Sequence, residues 1–298
     1  MKNAFELELS LSFLGQSAAG NQIDFYDAAQ ALVGFQRSLA LTTHLILNNE
    51  IITQAPSLAG ATIIALPSEE GSWKQRAVVV GTWAMIAGGA YKLGTAPTDT
   101  PLGHLVSSAY DYVISETLGF HVDYDQTLGQ QIESVQQNLA ADKKLTQNRF
   151  DSVIEKCETA IESMHRPIVA SNSAERAIIS RKTGGKEKAF KFELSEASFE
   201  HVKYSRERPK KHRFVGSISS YNINTFKGRI YIEELGRPVP FELDSSAKSP
   251  KQIQTIVSSL SRNSSFRTKT NALIEIEAVV IESRTGRIKK LYVQMVTD

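Results

Sequence analysis

The chain reads as an α+β protein that ends in a five-stranded barrel of the OB type. Three observations predict it. Apolar–polar alternation marks strands near both ends of the chain, and helical periodicity fills the middle. From about Arg213 to Val296 the order is three strands, a helix, then two strands. That is the order of a barrel whose face usually holds a ligand, so the functional expectation falls on the last third.

The elements follow in order. Phe5, Leu7, Leu9, Leu11 and Phe13 alternate with polar residues and predict a strand with one buried face. Asp24 predicts the cap of a long helix whose packed face runs through Ala28, Ala31, Leu32, Phe35, Leu39, Thr42 and Ile46. Ala61–Leu66 and Trp73–Val80 predict a hairpin, with Gly71 in its turn. Residues 1–80 thus form an antiparallel sheet crossed by a helix.

Residues 81–182 read as helical. Gly81–Leu93 is apolar nearly all round and rich in small residues, so it must be buried in the fold or against a second copy. Trp83, Ile86, Gly88, Gly89 and Tyr91 are the candidate self-association residues. Pro101 opens a helix to about Leu118, Asp125 caps another to about Ala140, and a third spans Thr146 to Met164. The third carries the stripe Phe150, Val153, Ile154, Cys157, Ile161 and Met164, which suits a bundle seam. Lys182–Gly185 reads as a linker, and the chain from 186 to 298 is β-rich, starting with a strand at Phe190–Leu194.

The barrel strands are Phe214–Tyr221, Lys227–Ile232, Arg237–Leu243, Leu273–Ile281 and Arg287–Val296. In the second, Ile230 and Ile232 are expected inward, Arg229 and Tyr231 outward. Pro238 and Pro240 lack an N–H, which predicts an edge position for the third. Between the third and fourth, Ser249 caps a helix, Pro250 suits its first position, and Gln252 reaches back. Gly286 supplies the positive φ of the last hairpin.

Composition excludes some classes. A net charge of +2 does not by itself argue for nucleic acid or a membrane. The single cysteine, Cys157, permits no disulfide within the chain, and a reducing cytoplasm is expected. No signal peptide is read at the N-terminus, because Glu6 and Glu8 interrupt any apolar core. The uncharged run between Arg76 and Lys92 is shorter than the ~20 residues of a spanning helix.

No catalytic constellation emerges. Cys157 lies in an apolar stripe and reads as a small buried hydrophobe. His121, Asp123 and Asp125 share one side of an extended segment, but no second cluster completes a metal shell. No metal, cofactor or catalytic set is therefore expected. The run Arg206, Arg208, Lys210, Lys211 and Arg213 abuts the first barrel strand and suits phosphate contact. Tyr221 and Tyr231, with Phe226, offer stacking planes, and Arg229 lies beside them. The same run also suits a solvated loop, because Glu233, Glu234, Glu242, Glu275 and Glu277 sit on neighbouring strands.

Asp24–Leu32, Leu66–Trp73 and the stretch from Pro101 to Asp125 with Leu118-Gly-Phe-His-Val-Asp-Tyr-Asp125 resemble a family of uncharacterised bacterial proteins. Such proteins are met in mobile-element and phage-defence neighbourhoods. The resemblance covers the N-terminal half and implies no activity, only a prior for a defence or anti-defence role. The expectation is a non-enzymatic binding protein: a self-associating body whose barrel grips a protein partner. A single-strand nucleic-acid binder is the alternative. An enzyme whose site assembles from distant residues is the second alternative.

Overall fold

Strand β1 (Phe5–Leu14) organises the first sheet because its alternation is strict. Phe5, Leu7, Leu9, Leu11 and Phe13 are all buried on one face. The computed structural model describes residues 5–67, 73–81, 98–135, 145–265, 272–282, 286 and 288–297. It divides into two compact units, 1–202 and 203–298, each with its own apolar core.

In the first unit, β1 pairs antiparallel with β3 (Lys74–Gly81), and β3 pairs with β2 (Ala61–Leu66). On its other side β1 pairs with β4 (Arg176–Thr183), which pairs with β5 (Lys186–Ala189). The order β2-β3-β1-β4-β5 is antiparallel throughout. Helix α1 (Phe25–Asn48) packs on the apolar face, with Asp27 N–H donating to Asp24 Oδ1 at 2.9 Å as its cap. Helices α2 (Pro101–Thr117), α3 (Gln130–Val135), α4 (Gln147–Met164), α5 (Arg166–Val169) and α6 (Glu196–Lys203) follow. The stripe expected on α4 is buried as read, except that Ile154 is half-buried.

Three readings of the first unit are corrected. Lys182 and Thr183 end β4, and Gly184–Gly185, at φ 56° and 79°, are the turn of the β4–β5 hairpin. Two glycines at positive φ make a tight hairpin, not a linker. Phe190–Leu194 forms one bridge to Ala177 instead of a strand. Its rings pack instead: Phe192 stacks on Phe120 at 3.9 Å, and Phe190 meets Tyr110 edge-on at 6.0 Å. The helical turn after Tyr124 is capped by Asp123, not Asp125, through Gln126 N–H at 3.0 Å. It opens with a π-helical turn at Asp125–Gly129. The candidate self-association residues Trp83, Ile86, Gly88, Gly89 and Tyr91, and Gly71 of the first hairpin, lie outside the described residues.

The second unit is the barrel. Strands β7 (His212–Asn222), β8 (Lys227–Ile232) and β9 (Arg237–Leu243) form an antiparallel meander. Helix α7 (Pro250–Ser265) precedes the hairpin of β10 (Leu273–Glu282) and β11 (Ile288–Thr297). β10 returns to β7, and β11 runs parallel to β9, which closes a five-stranded barrel. A two-residue strand, β6 (Arg206–Glu207), is added on β10. β9 is therefore not an edge. Its pairing with β11 is confined to Phe241–Leu243, beyond Pro238 and Pro240, so the missing N–H groups interrupt no bond on that side.

Helix α7 seals the barrel by hydrogen bonding as well as packing. A bulge at Ile218–Ser220 takes β7 out of register. Ile218 N–H donates to Ser259 Oγ at 3.0 Å, and Ile218 C=O accepts from Asn263 Nδ2 at 3.0 Å. Ser249 Oγ caps the helix start by accepting Gln252 N–H at 3.4 Å and Gln252 Nε2 at 3.2 Å, and Gln252 Oε1 accepts Val296 N–H at 2.8 Å. Among the described residues no helix is long and apolar enough to cross a membrane.

Candidate nucleic-acid interface

The structure spends the basic run on structure. Arg206 and Arg208 both clamp the Glu282 carboxylate, each at 2.6 Å. That side chain is only 5% exposed, so the two guanidiniums supply the charge its burial requires. Hydrogen bonds from Arg208 and Arg206 hold the Glu282 carboxyl below its usual range. Lys211 meets Glu277 at 3.7 Å, and Arg213 meets Glu275 and Glu277 at 3.4 Å each. Four of the five cations thus lie against carboxylates of β10, while Lys210 is exposed.

The expected stacking residues divide. Tyr221 is half-buried with its ring against Phe241, at 6.2 Å and 12° between planes. Its hydroxyl is buried without a partner among the described residues, and burial raises its pKa. Arg229, expected outward, is 2% exposed and cannot meet a ligand as it stands. Strand alternation assigns a residue to a face; it does not say whether that face is covered. Tyr231 is half-buried.

A different constellation forms at the β7–β8 end of the barrel. The turn Asn222–Phe226 closes on Asn222 Oδ1, which accepts the N–H groups of Asn224 at 3.0 Å and Thr225 at 3.3 Å. Phe226 then takes φ 55°, left-handed backbone that a large side chain rarely adopts. Its carbonyl accepts Leu243 N–H at 3.0 Å, tying the turn to the end of β9.

Strand register does the rest. Lys227 lies opposite Glu242 across β8–β9, and Tyr292 lies opposite Glu242 across β9–β11. Lys290 Nζ reaches Glu242 Oε2 at 2.5 Å and lies 4.9 Å from the Tyr292 ring centroid. Lys227 Nζ is 4.0 Å from the same carboxylate oxygen. Lys248 follows a 3₁₀ turn that Asp244 caps through Ser246 N–H, and its Nζ stands 4.7 Å over the Phe226 ring. Partial burial works to raise the Glu242 carboxyl. The Lys290 hydrogen bond and the charges of Lys290, Lys227 and Lys248 outweigh it and hold it below the usual range. Two ammonium groups, Lys227 and Lys290, thus lie within 4.0 Å of one carboxylate, and Lys248, over the Phe226 ring, adds its charge to the same surroundings.

The charge of the whole unit agrees. Residues 203–298 hold 18 Lys and Arg against 9 Asp and Glu, whereas residues 1–202 hold 16 against 23. The near-neutral total hides this partition. A charge count for each half of the sequence finds it. The three lysines are 21 and 42 residues apart in the chain, and only the barrel register brings them together.

Other candidates are occupied. His121 Nδ1 lies 3.0 Å from Glu116, and Asp123 serves as a cap. Among the described residues no group of three or more His, Cys, Asp or Glu could hold a metal ion. His104 lies between Asp99 and Arg181, which engage both ring nitrogens, so neither nitrogen faces a hydroxyl or thiol. Cys157 is buried, and burial pushes its thiol up to about 12, far from a nucleophile's range.

Residues 9–202 match the model of a family described as a domain of unknown function (DUF7946). Residues 210–297 match a second, described as a family of unknown function (DUF7947). No curated protein and no solved structure matches the chain.

Proposed function

We propose a non-enzymatic binding role for this chain, which belongs to the DUF7946 family over residues 9–202. In this reading the barrel holds single-stranded nucleic acid at Phe226, Lys227, Lys248, Lys290 and Tyr292. The observation that carries it is the convergence of three lysines and two rings on the outer wall of a closed OB-order barrel. Lysines supply point charges to phosphates without reading sequence. Each ring offers a base ~1–3 kcal/mol of stacking. The use of such barrels for oligonucleotides is analogy from fold and adds weight only beside the site itself.

The test is fluorescence anisotropy with a labelled oligothymidylate over a salt series. Affinity is expected to fall as salt rises. The triple variant Lys227→Ala, Lys248→Ala, Lys290→Ala is expected to flatten the log–log slope by about 2, at ~0.7 per lost phosphate contact. Replacing Lys210, Lys211 and Arg213 is expected to have the smaller effect. No binding at low salt, or a triple variant that binds like the parent, would reject the reading.

A second reading, a protein partner gripped in phage conflict, is favoured by one feature of the first unit. Phe25, Tyr26 and Val33 on α1 are 87%, 61% and 61% exposed. Large apolar side chains so exposed on one helix mark an interaction surface more often than a bare one. The phage-conflict setting rests on the sequence resemblance alone.

A further inference from the structure

The two edges of the first sheet are built to opposite rules. The β5 edge is Lys186-Glu187-Lys188-Ala189, four residues, all exposed, three of them charged. Short charged edges of this kind resist pairing with another strand. The β2 edge is Ala61-Thr-Ile-Ile-Ala-Leu66, six residues, and no charge occurs from Ser57 to Ser68. It has no proline and no bulge, and its register to β3 runs unbroken from Ala61 to Leu66.

β2 also reads as an interior strand. Ile63 shares a row with Val79 and Leu7 on the face that carries α1, and belongs to the core's margin. Ile64 shares a row with Val78 and Glu8 on the opposite face, where Val78 is buried. Edge strands with one wet face alternate apolar with polar; a strand apolar on both faces belongs inside a sheet. Gln75 Nε2 donates to the carbonyls of Leu66 and Arg76, in the seam between β2 and β3, and among the described residues nothing bonds to the outer edge of β2.

We infer that β2 pairs antiparallel with β2 of a second copy of this chain, joining two five-stranded sheets into one of ten. A second copy is the occupant because this edge complements itself. A two-fold axis through Ile63, perpendicular to the sheet, sets Ile63 beside its copy, Ala61 opposite Ala65 and Thr62 opposite Ile64. Every pair is uncharged, opposed residues share a face, and both helix layers stay on the same side. The β5 edge, paired with its own copy, would bring six charged side chains into one ladder. This inference is independent of the barrel site.

The test is light scattering on the full chain across a dilution series, with hydrogen exchange at the same concentrations. The parent is expected at about twice its 32.9 kDa mass at high concentration, with β2 amides that lose protection on dilution. Thr62→Lys with Ala65→Lys places charge on two exposed side chains of β2. This variant is expected to be a monomer with an unchanged circular dichroism spectrum. Lys186→Ala with Lys188→Ala should leave the dimer intact. A parent that stays monomeric, a dimer that survives the Thr62 and Ala65 changes, or β2 amides equally protected in a dilute monomer would each overturn the inference. The last outcome would mean that the chain covers this edge itself.

Discussion

In the proposed reading Glu242 competes with an incoming phosphate, because its carboxylate already holds Lys227 and Lys290 and feels the charge of Lys248. A neutral amide there frees those charges. Glu242→Gln is therefore expected to tighten oligothymidylate binding several-fold, read by the same anisotropy titration. The parent should bind more tightly as pH falls through the depressed Glu242 value, whereas the Gln variant should not. The sign for stability is opposite. The carboxylate's contribution is present above its ordinary unfolded value and is lost as pH drops through the lowered native one.

His165 makes the second prediction at this scale. It is buried, with Nδ1 2.7 Å from Ile161 C=O and Nε2 2.9 Å from Ser198 Oγ. Those partners assign the proton to Nδ1 and make Nε2 the acceptor. Burial pushes its pKa down to about 4. The unfolded chain binds a proton near 6.5 that the native chain refuses, so stability falls as pH drops from about 6.5 to about 4. The loss is on the order of 3 kcal/mol at the acid end. Urea titrations at stepped pH should show His165→Gln with a shallower decline over that window.

At the scale of elements, close approach decides what can change. A Cβ on Gly34 of α1 would stand 2.2 Å from the Ala160 carbonyl of α4. The two helices pack on a bare backbone, and Gly34→Ala must push them apart. The expected cost is about 1–3 kcal/mol in denaturant unfolding, against a gain in helix propensity of only ~1 kcal/mol. The clamp at Glu282 is a second element-scale device. Glu282→Ala removes the carboxylate that holds both Arg206 and Arg208, so β6 is expected to lose exchange protection while β10 keeps its own. If β6 stays protected, its two backbone pairs suffice without the ion pairs.

Some element-scale features were legible and some were not, for identifiable reasons. The Asp24, Pro101 and Ser249 helix starts were readable because caps act within three residues. The β1 face was readable because its alternation never breaks. β4 was missed because Arg176–Thr183 follows helical sequence and becomes a strand by pairing with β1, some 170 residues away. The β7 bulge carried no local mark; its freed backbone groups are answered by Ser259 and Asn263 on a later helix.

At the scale of the whole molecule, the second unit has its own core. Ile230, Ile232, Val239, Phe241 and Leu291 are buried with α7's Ile256. A fragment of residues 203–298 is expected to fold alone, with a cooperative thermal transition followed by circular dichroism. Its excess of cations predicts tighter retention on a cation exchanger than the full chain.

The sequence alone determined the α+β class, the strand–helix order of the barrel and the caps that start its helices. Those features depend on neighbours a few residues apart, where periodicity and side-chain reach suffice. Tertiary structure alone decided that the Arg206–Arg213 run is mostly neutralised on β10, that Arg229 is buried, and that Lys227, Lys248 and Lys290 meet around Glu242. Charges act through space, and which charges are neighbours is set by strand register across the closed barrel.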